Sequence, residues 1–182
     1  MTEMEYTELG IFNSKTGPSD GSGKDESLHD AKRFVADHIR EGVICPCCQQ
    51  HAKLYKRRLN ATKAALLLSL CSVHVRQEAI EWTHVSDIPW KGTDARGAGG
   101  ELAKLELWGL IERKPKDPTN TKSRCSGMWR ATKKGIEFAL RRLTVPKYVY
   151  TYNACAEAFS TVQVTIDEAL DKKFNYAELM AR

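Results

Sequence analysis

Apolar and polar residues recur at the spacing of an amphipathic helix in several parts of the chain, and the first clear set precedes residue 40. Leu28, Ala31, Val35 and Ile39 share one helical face, and Ser27 can cap the helix that they define. Residues 1–26 contain no periodic apolar set and are rich in Ser, Gly and charged side chains. They are therefore predicted to form a flexible leader.

A second helix is predicted over residues 61–80, with Asn60 as its N-cap. Its apolar side chains are too dense for a single stripe, so most of this helix should be buried at the centre of the core. The positions that support burial are Leu66, Leu67, Leu70 and Val73.

Residues 84–143 predict a short helical turn, a glycine-rich connection, a third helix over 98–108, a β-hairpin and a fourth helix. Gly109 can end the third helix in the left-handed conformation, and Thr132 can cap the fourth. The hairpin loop is polar, contains two prolines and is long enough to project into solvent.

Two further elements are predicted near the C-terminal end of the sequence. Tyrosines at 148, 150 and 152 alternate with smaller side chains, which indicates a half-buried strand. Thr165 and Glu168 then form a capping box that opens a last helix.

The net charge of +5 is unevenly distributed along the sequence. Residues 53–63 carry five basic and no acidic side chains, and residues 110–147 carry eleven basic and three acidic ones. Such clusters create a local positive potential that attracts polyanions. The alternative interpretation is a solvated basic face that has no partner.

Two segments resemble the winged-helix variant of the helix-turn-helix domain. LAKLELWGLIERK is similar to the third helix of that family passing through a glycine into the first wing strand. WRATKKGIEF is similar to the exit from the wing, with Trp129, Ala131, Thr132 and Gly135 at the family's positions. The Cys-Pro-x-Cys stretch at residue 45, the Lys-x-Tyr-Lys-Arg after it and the later WGLIE also resemble small bacteriophage-encoded proteins.

The resemblance implies a mainly α (α+β) protein, a winged helix with a small β-hairpin wing. The winged-helix domain would occupy residues 61–147. An N-terminal helix with a cysteine-bearing, basic segment would occupy 27–60, and a C-terminal strand and helix would form an extension over 148–182.

The resemblance and the charge pattern together predict a DNA-binding protein, a small transcriptional regulator whose basic wing contacts the phosphate backbone of double-stranded DNA. Glu101 and Glu106 on the third helix argue against its insertion into a groove. An adaptor or inhibitor, encoded by a phage and docking on a host protein through the same basic surface, is therefore the alternative. The predicted nucleic-acid-binding residues are Lys56, Arg57, Arg58, Arg96, Lys104, Arg113, Lys114, Lys116, Lys122, Arg124, Arg130, Lys133 and Lys134.

The stretch ICPCCQQH, residues 44–51, contains three cysteines and a histidine. Cys45 and Cys48 have the spacing with which two thiolates bind one zinc ion, and His51 lies three residues further on. The sequence therefore predicts one structural zinc with Cys45, Cys48 and His51 as ligands, although a second C-x-x-C is absent. Thiols without a metal are an equally supported alternative, and a redox pair is a weaker one.

Other functional classes receive little support from the sequence. No grouping of nucleophile, acid and base predicts an enzyme, and the longest apolar run, 64–70, is far shorter than the roughly 20 residues of a membrane span. The N-terminal residues lack a secretory pattern, so a cytoplasmic location (host cytoplasm for a phage protein) and reduced cysteines are expected. A homodimer formed through the last helix is compatible with the pattern.

Overall fold

The computed structural model describes residues 6–8, 23–91, 93–115 and 127–181. The α-helices of these residues are Gly23–His38 (α1), Ala61–Gln77 (α2), Gly99–Ala103 (α3), Lys133–Ala139 (α4), Ile166–Leu170 (α5) and Tyr176–Met180 (α6). The strands are Tyr6–Glu8 (β1), Val43–Ile44 (β2), His51–Ala52 (β3), Tyr55–Arg58 (β4), Thr83–His84 (β5), Pro89–Trp90 (β6), Thr93–Asp94 (β7), Ile111–Arg113 (β8), Met128–Ala131 (β9), Val145–Pro146 (β10), Tyr148–Tyr152 (β11), Cys155–Ser160 (β12) and Gln163–Val164 (β13). The 3₁₀-helices are Val85–Asp87, Ala95–Ala98, Lys104–Trp108 and Asp171–Lys173.

The chain divides into two compact units that are not continuous in sequence. The first unit contains residues 1–57 and 148–160, and the second contains 58–147 and 161–182. The residues predicted as one extension, 148–182, are thus divided between the two units.

The first unit contains a four-stranded sheet in the order β1-β12-β11-β4, in which β12 is antiparallel to both β1 and β11. β11 and β12 form a hairpin in which Val149 faces Phe159, and the register shifts after Tyr150. A separate β2–β3 hairpin and α1 share a small apolar core built on Val35, Ile39 and Ala52.

The second unit is organised around α2, whose residues 63–74 are all buried. The Asn60 side chain accepts a hydrogen bond of 3.1 Å from the backbone N–H of Lys63, which confirms the predicted N-cap. The helix ends at Glu78, which adopts the left-handed conformation with φ +52°. Helices α3, α4, α5 and α6 all pack against α2, as expected of a helix whose every face is apolar.

A three-stranded sheet in the order β5-β9-β8 lies beside α2 in the second unit. Glu112 of β8 faces Arg130 of β9, so their side chains lie on the same side of the hairpin. Two-stranded pairs, β6 with β7 and β10 with β13, complete this unit among the described residues.

The predicted caps at Gly109, Thr132 and Thr165 are confirmed, whereas Ser27 is not an N-cap, because α1 already begins at Gly23. Gly109 follows the 3₁₀-helix with φ +65°, and Thr132 Oγ1 accepts a 3.0 Å hydrogen bond from Gly135 N–H at the start of α4. Thr165 and Glu168 form both hydrogen bonds of the capping box at α5.

The prediction of a mainly α, winged-helix fold is wrong. Strands accompany the helices in both units, and the described residues form an α+β fold without a winged-helix assignment. Residues 98–108, predicted to be one helix, form the end of a 3₁₀-helix, the five-residue α3 and a second 3₁₀-helix. Two adjacent glycines weaken α-helical propensity there, and Leu102, Leu105 and Trp108 are buried.

A glycine is required at position 135, because α4 here lies directly against the backbone of Leu110, the residue before β8. A Cβ atom at this position would lie 1.9 Å from the carbonyl oxygen of Leu110, a contact that the backbone must move to relieve. We expect Gly135→Ala to lower the free energy of unfolding by about 3 kcal/mol or more, measured by urea denaturation. Gly100→Ala is the control, because nothing lies within 4 Å of its Cβ position, and it should change stability by less than about 1 kcal/mol. Equal effects of the two substitutions would contradict this packing.

Candidate nucleic-acid interface

Three consecutive cations lie on β4, the last strand of the described four-stranded sheet. Lys56, Arg57 and Arg58 are all exposed, and so is Tyr55 at the start of the strand. Together with Tyr148 of β11 they are called the edge-strand patch. Because side chains alternate along a strand, the patch presents positive charge on both faces of this edge.

Aromatic rings hold the cations of the edge-strand patch in place. The Lys56 ammonium lies 4.1 Å from the centre of the Tyr148 ring, and the Arg57 guanidinium lies 6.0 Å from that of Tyr55. Both distances are within the range of cation–π attraction. Thr151 Oγ1 donates a 3.3 Å hydrogen bond to the Tyr55 carbonyl, which adds a side-chain contact between β11 and β4.

No acidic side chain of the described residues forms an ion pair with Lys56, Arg57 or Arg58. Their charges are therefore available to an external anion. The basic run of residues 53–63 predicted these cations, whereas the contact of Lys56 with Tyr148 depends on strand pairing over about 90 residues and has no local sequence signal.

The cations of the β8–β9 hairpin are largely compensated within the second unit. Arg130 forms an ion pair of 2.6 Å with Glu112, and its guanidinium lies 4.3 Å from the centre of the Trp82 ring. Arg113 lies 4.8 Å from the Trp129 ring centre and 3.8 Å from the Glu106 carboxylate. Two of the cations predicted to contact phosphate thus already have acidic neighbours.

Arg96 and Lys104 are also paired with carboxylates. Arg96 donates from Nε to both oxygens of Asp94, at 3.0 and 2.9 Å, and this contact lowers the pKa of Asp94 and raises that of Arg96. Lys104 bonds Glu101, which also accepts a 2.7 Å ion pair from the buried ammonium of Lys63. Glu101 and Lys104 are three positions apart on one helical segment, so the sequence alone could have indicated their pairing.

The remaining predicted cations differ in their surroundings. Lys134 donates a 2.8 Å hydrogen bond to the Trp108 carbonyl, where it stabilises the end of the 3₁₀-helix. Lys114 and Lys133 are exposed, and neither has an acidic partner among the described residues. Lys116, Lys122 and Arg124 lie outside the described residues.

The cysteine-rich turn connects β2 to β3 in the first unit. Cys45 donates its N–H to the Gln50 carbonyl at 2.8 Å, and Gln49, with φ +59°, donates to the Cys45 carbonyl at 2.9 Å. The backbone N–H groups of Cys48 and Cys47 donate to the Cys45 sulfur, and these bonds hold the pKa of the Cys45 thiol below its usual value.

His51 is not placed to bind one metal ion together with Cys45 and Cys48. Its imidazole packs against Gly42, where a Cβ atom would lie 2.9 Å from Nε2. Within 23–91, 93–115 and 127–181, no group of three or more His, Cys, Asp or Glu side chains is arranged to hold a metal ion. One chain therefore brings together Cys45 and Cys48 but not the predicted third ligand.

An apolar cavity of about 520 Å³ lies in the second unit beside the C-terminal half of α2. Its only histidine, His74, accepts a 3.2 Å hydrogen bond from Ala131 N–H at Nε2, and burial together with the nearby Arg130 lowers the His74 pKa. Burial raises the pKa of the adjacent Cys71 thiol to about 12. These groups are held uncharged, so the cavity offers no cluster of ionised side chains.

Among the described residues, no helix combines the length and the apolar character that crossing a membrane requires.

Comparison with known proteins gives no relative: no family model matches the chain, and neither a curated protein nor a solved structure matches it significantly.

The Glu101 carboxylate forms ion pairs with two ammonium groups, one of which is buried. Removal of this negative charge should therefore destabilise the folded protein. Hydrogen bonds from Lys104 and Lys63 lower the Glu101 pKa, so its contribution to stability is complete above the unfolded value of about 4.3 and is lost as the pH falls through the lower folded value. We expect Glu101→Gln to lower the free energy of unfolding by about 3 kcal/mol at neutral pH, because Lys63 is left unpaired.

The difference between Glu101→Gln and the parent protein should shrink in acid, where the parent carboxyl is itself protonated. Urea denaturation at neutral and acidic pH measures this directly. Glu178→Gln, an exposed position, is the matched control and should have little effect at either pH. A Glu101→Gln deficit that is constant with pH would contradict the ion-pair explanation.

Proposed function

We propose that the protein binds double-stranded nucleic acid through its phosphate backbone, with the edge-strand patch as the principal contact. The observation that carries this proposal is the run of three exposed cations on β4 that no described acid neutralises. Phosphates are the anions that such a run fits best, because each neutralised phosphate releases a condensed counterion.

The chemistry of the patch suits backbone contact rather than base readout. A guanidinium presents several donors to phosphate oxygens, and a lysine ammonium acts as a mobile point charge. Edge strands also carry unpaired backbone N–H groups, which are common phosphate donors in nucleic-acid complexes. Contacts of these kinds position a protein without reading sequence, so we propose binding that depends little on base sequence.

The β8–β9 hairpin is a secondary contact in this proposal. The acidic partners of Arg113 and Arg130 reduce the charge that these residues can offer. Lys114, which follows β8, is exposed and has no acidic partner among the described residues, so it can contribute to this contact.

The edge-strand patch has a second interpretation that an experiment can separate from the first. Lysine and arginine on an edge strand prevent that edge from pairing with another chain. If protection were the whole role, charge reversal would increase aggregation or leave the protein unchanged, without any effect on nucleic-acid affinity.

Charge reversal of the patch should weaken duplex binding. We expect Lys56→Glu/Arg57→Glu to reduce affinity for a random-sequence duplex by about tenfold or more, and to reduce the slope of log affinity against log salt by about 2. Fluorescence anisotropy with a labelled duplex, between about 0.05 and 0.2 M salt, measures both quantities.

Lys172→Glu/Lys173→Glu is the matched control for this experiment. Both lysines are exposed, the change in net charge is the same, and Lys173 also lies near an aromatic ring, at 5.8 Å from that of Phe174. The control should keep most of the affinity. Equal loss in the two variants, preference for a single strand of the same length, or retention on heparin without duplex binding would each overturn the proposal.

A further inference from the structure

The turn at residues 45–50 has the backbone geometry of a metal-binding knuckle. Two backbone hydrogen bonds close it, from Cys45 N–H to the Gln50 carbonyl and from Gln49 N–H to the Cys45 carbonyl. Gln49 adopts φ +59°, a conformation that costs energy for a residue with a side chain and that sharpens the turn directly after Cys48. The N–H groups of Cys47 and Cys48 meanwhile point to the Cys45 sulfur.

The turn is fixed at one end and exposed at the other. Cys45 packs against the small core of the first unit, next to Val43 and Ala52, so its position is determined by the fold. Cys47 and Cys48 are exposed at the tip, and the neighbouring Ile44 leaves half of its surface in solvent. The Cys48 thiol at the tip is therefore accessible to a second molecule.

We propose that Cys45 and Cys48 form one half of a tetrahedral zinc site, and that the same two cysteines from a second copy of this chain complete it. Structural zinc requires four ligands, and a C-x-x-C turn supplies two thiolates from one tight loop. No third ligand joins them among the described residues. His51, the predicted third ligand, packs against Gly42 instead. A two-fold axis through the metal would bring two identical turns together.

The two-fold arrangement also explains the exposure of Ile44. When two tips meet about a shared ion, each Ile44 lies close to the axis and can be buried against the other copy. The zinc site shares no residue with the edge-strand patch, so it stands or fails independently of the proposed nucleic-acid binding.

The test uses the full-length protein, freed of metal under reducing conditions and then supplied with zinc chloride. We expect one zinc ion per two chains by elemental analysis, and a dimer by light scattering that a chelator returns to monomer. Cobalt in place of zinc should give the intense visible absorption of a tetrahedral thiolate site.

Single cysteine substitutions show which thiols hold the metal. Cys45→Ser and Cys48→Ser should each lose both zinc and dimer, whereas Cys155→Ser, at an exposed cysteine on β12 of the same unit, should keep both. Cys47→Ser should also keep both. Far-ultraviolet circular dichroism confirms that each variant is folded, so that loss of metal is not a consequence of unfolding.

Three results would overturn the shared zinc site. The first is the absence of bound zinc in the reduced protein, and the second is one zinc per chain in a monomer, which would place all ligands within one copy. The third is a zinc-dependent dimer that persists in Cys45→Ser, because the metal would then lie elsewhere.

Discussion

The burial of residues 63–74 of α2 is the constraint on which the second unit depends. A helix with apolar side chains on every face cannot lie on a surface, so other elements must cover all of its sides. Four helices and a three-stranded sheet pack around it. Because several elements are needed to cover one helix, each of them is short. The same burial encloses Lys63, whose ammonium requires the Glu101 carboxylate. The Glu101 carboxylate therefore has a structural role as the partner of Lys63. Lys104 also pairs with this carboxylate, so its charge is less available to a ligand.

Elements governed by neighbouring residues could be predicted from the sequence. Asn60, Thr132 and Thr165 cap helices because each cap depends on a side chain and an N–H three residues away. Strand partners could not be predicted in this way. β12 was missed, and its pairing with β1 joins Tyr6 to Ser160, which are 154 positions apart in the sequence. The winged-helix expectation was wrong because a local order of elements does not determine how long each element is or what covers it.

The candidate interface shows the same limit for electrostatics. Composition indicates where cations are abundant, but their availability depends on which carboxylates the fold brings near. The cross-strand pair of Arg130 and Glu112 requires knowledge of strand register. On β4, by contrast, Lys56 and Arg57 are accompanied by tyrosine rings and by no described acid. Among the described residues, the cations of β4 thus lie apart from any carboxylate, whereas Arg113 and Arg130 of the β8–β9 hairpin do not, and no third His, Cys, Asp or Glu side chain of these residues joins Cys45 and Cys48.

Amide chemical shifts of the nitrogen-15-labelled protein, recorded during titration with a short random-sequence duplex at low salt, test the central claim most directly. The largest shifts should fall on Tyr55–Arg58 and on Tyr148, and they should reverse when salt is added, because the proposed contacts are with phosphates. Shifts confined to other surfaces, or the absence of any shift at low salt, would contradict that claim.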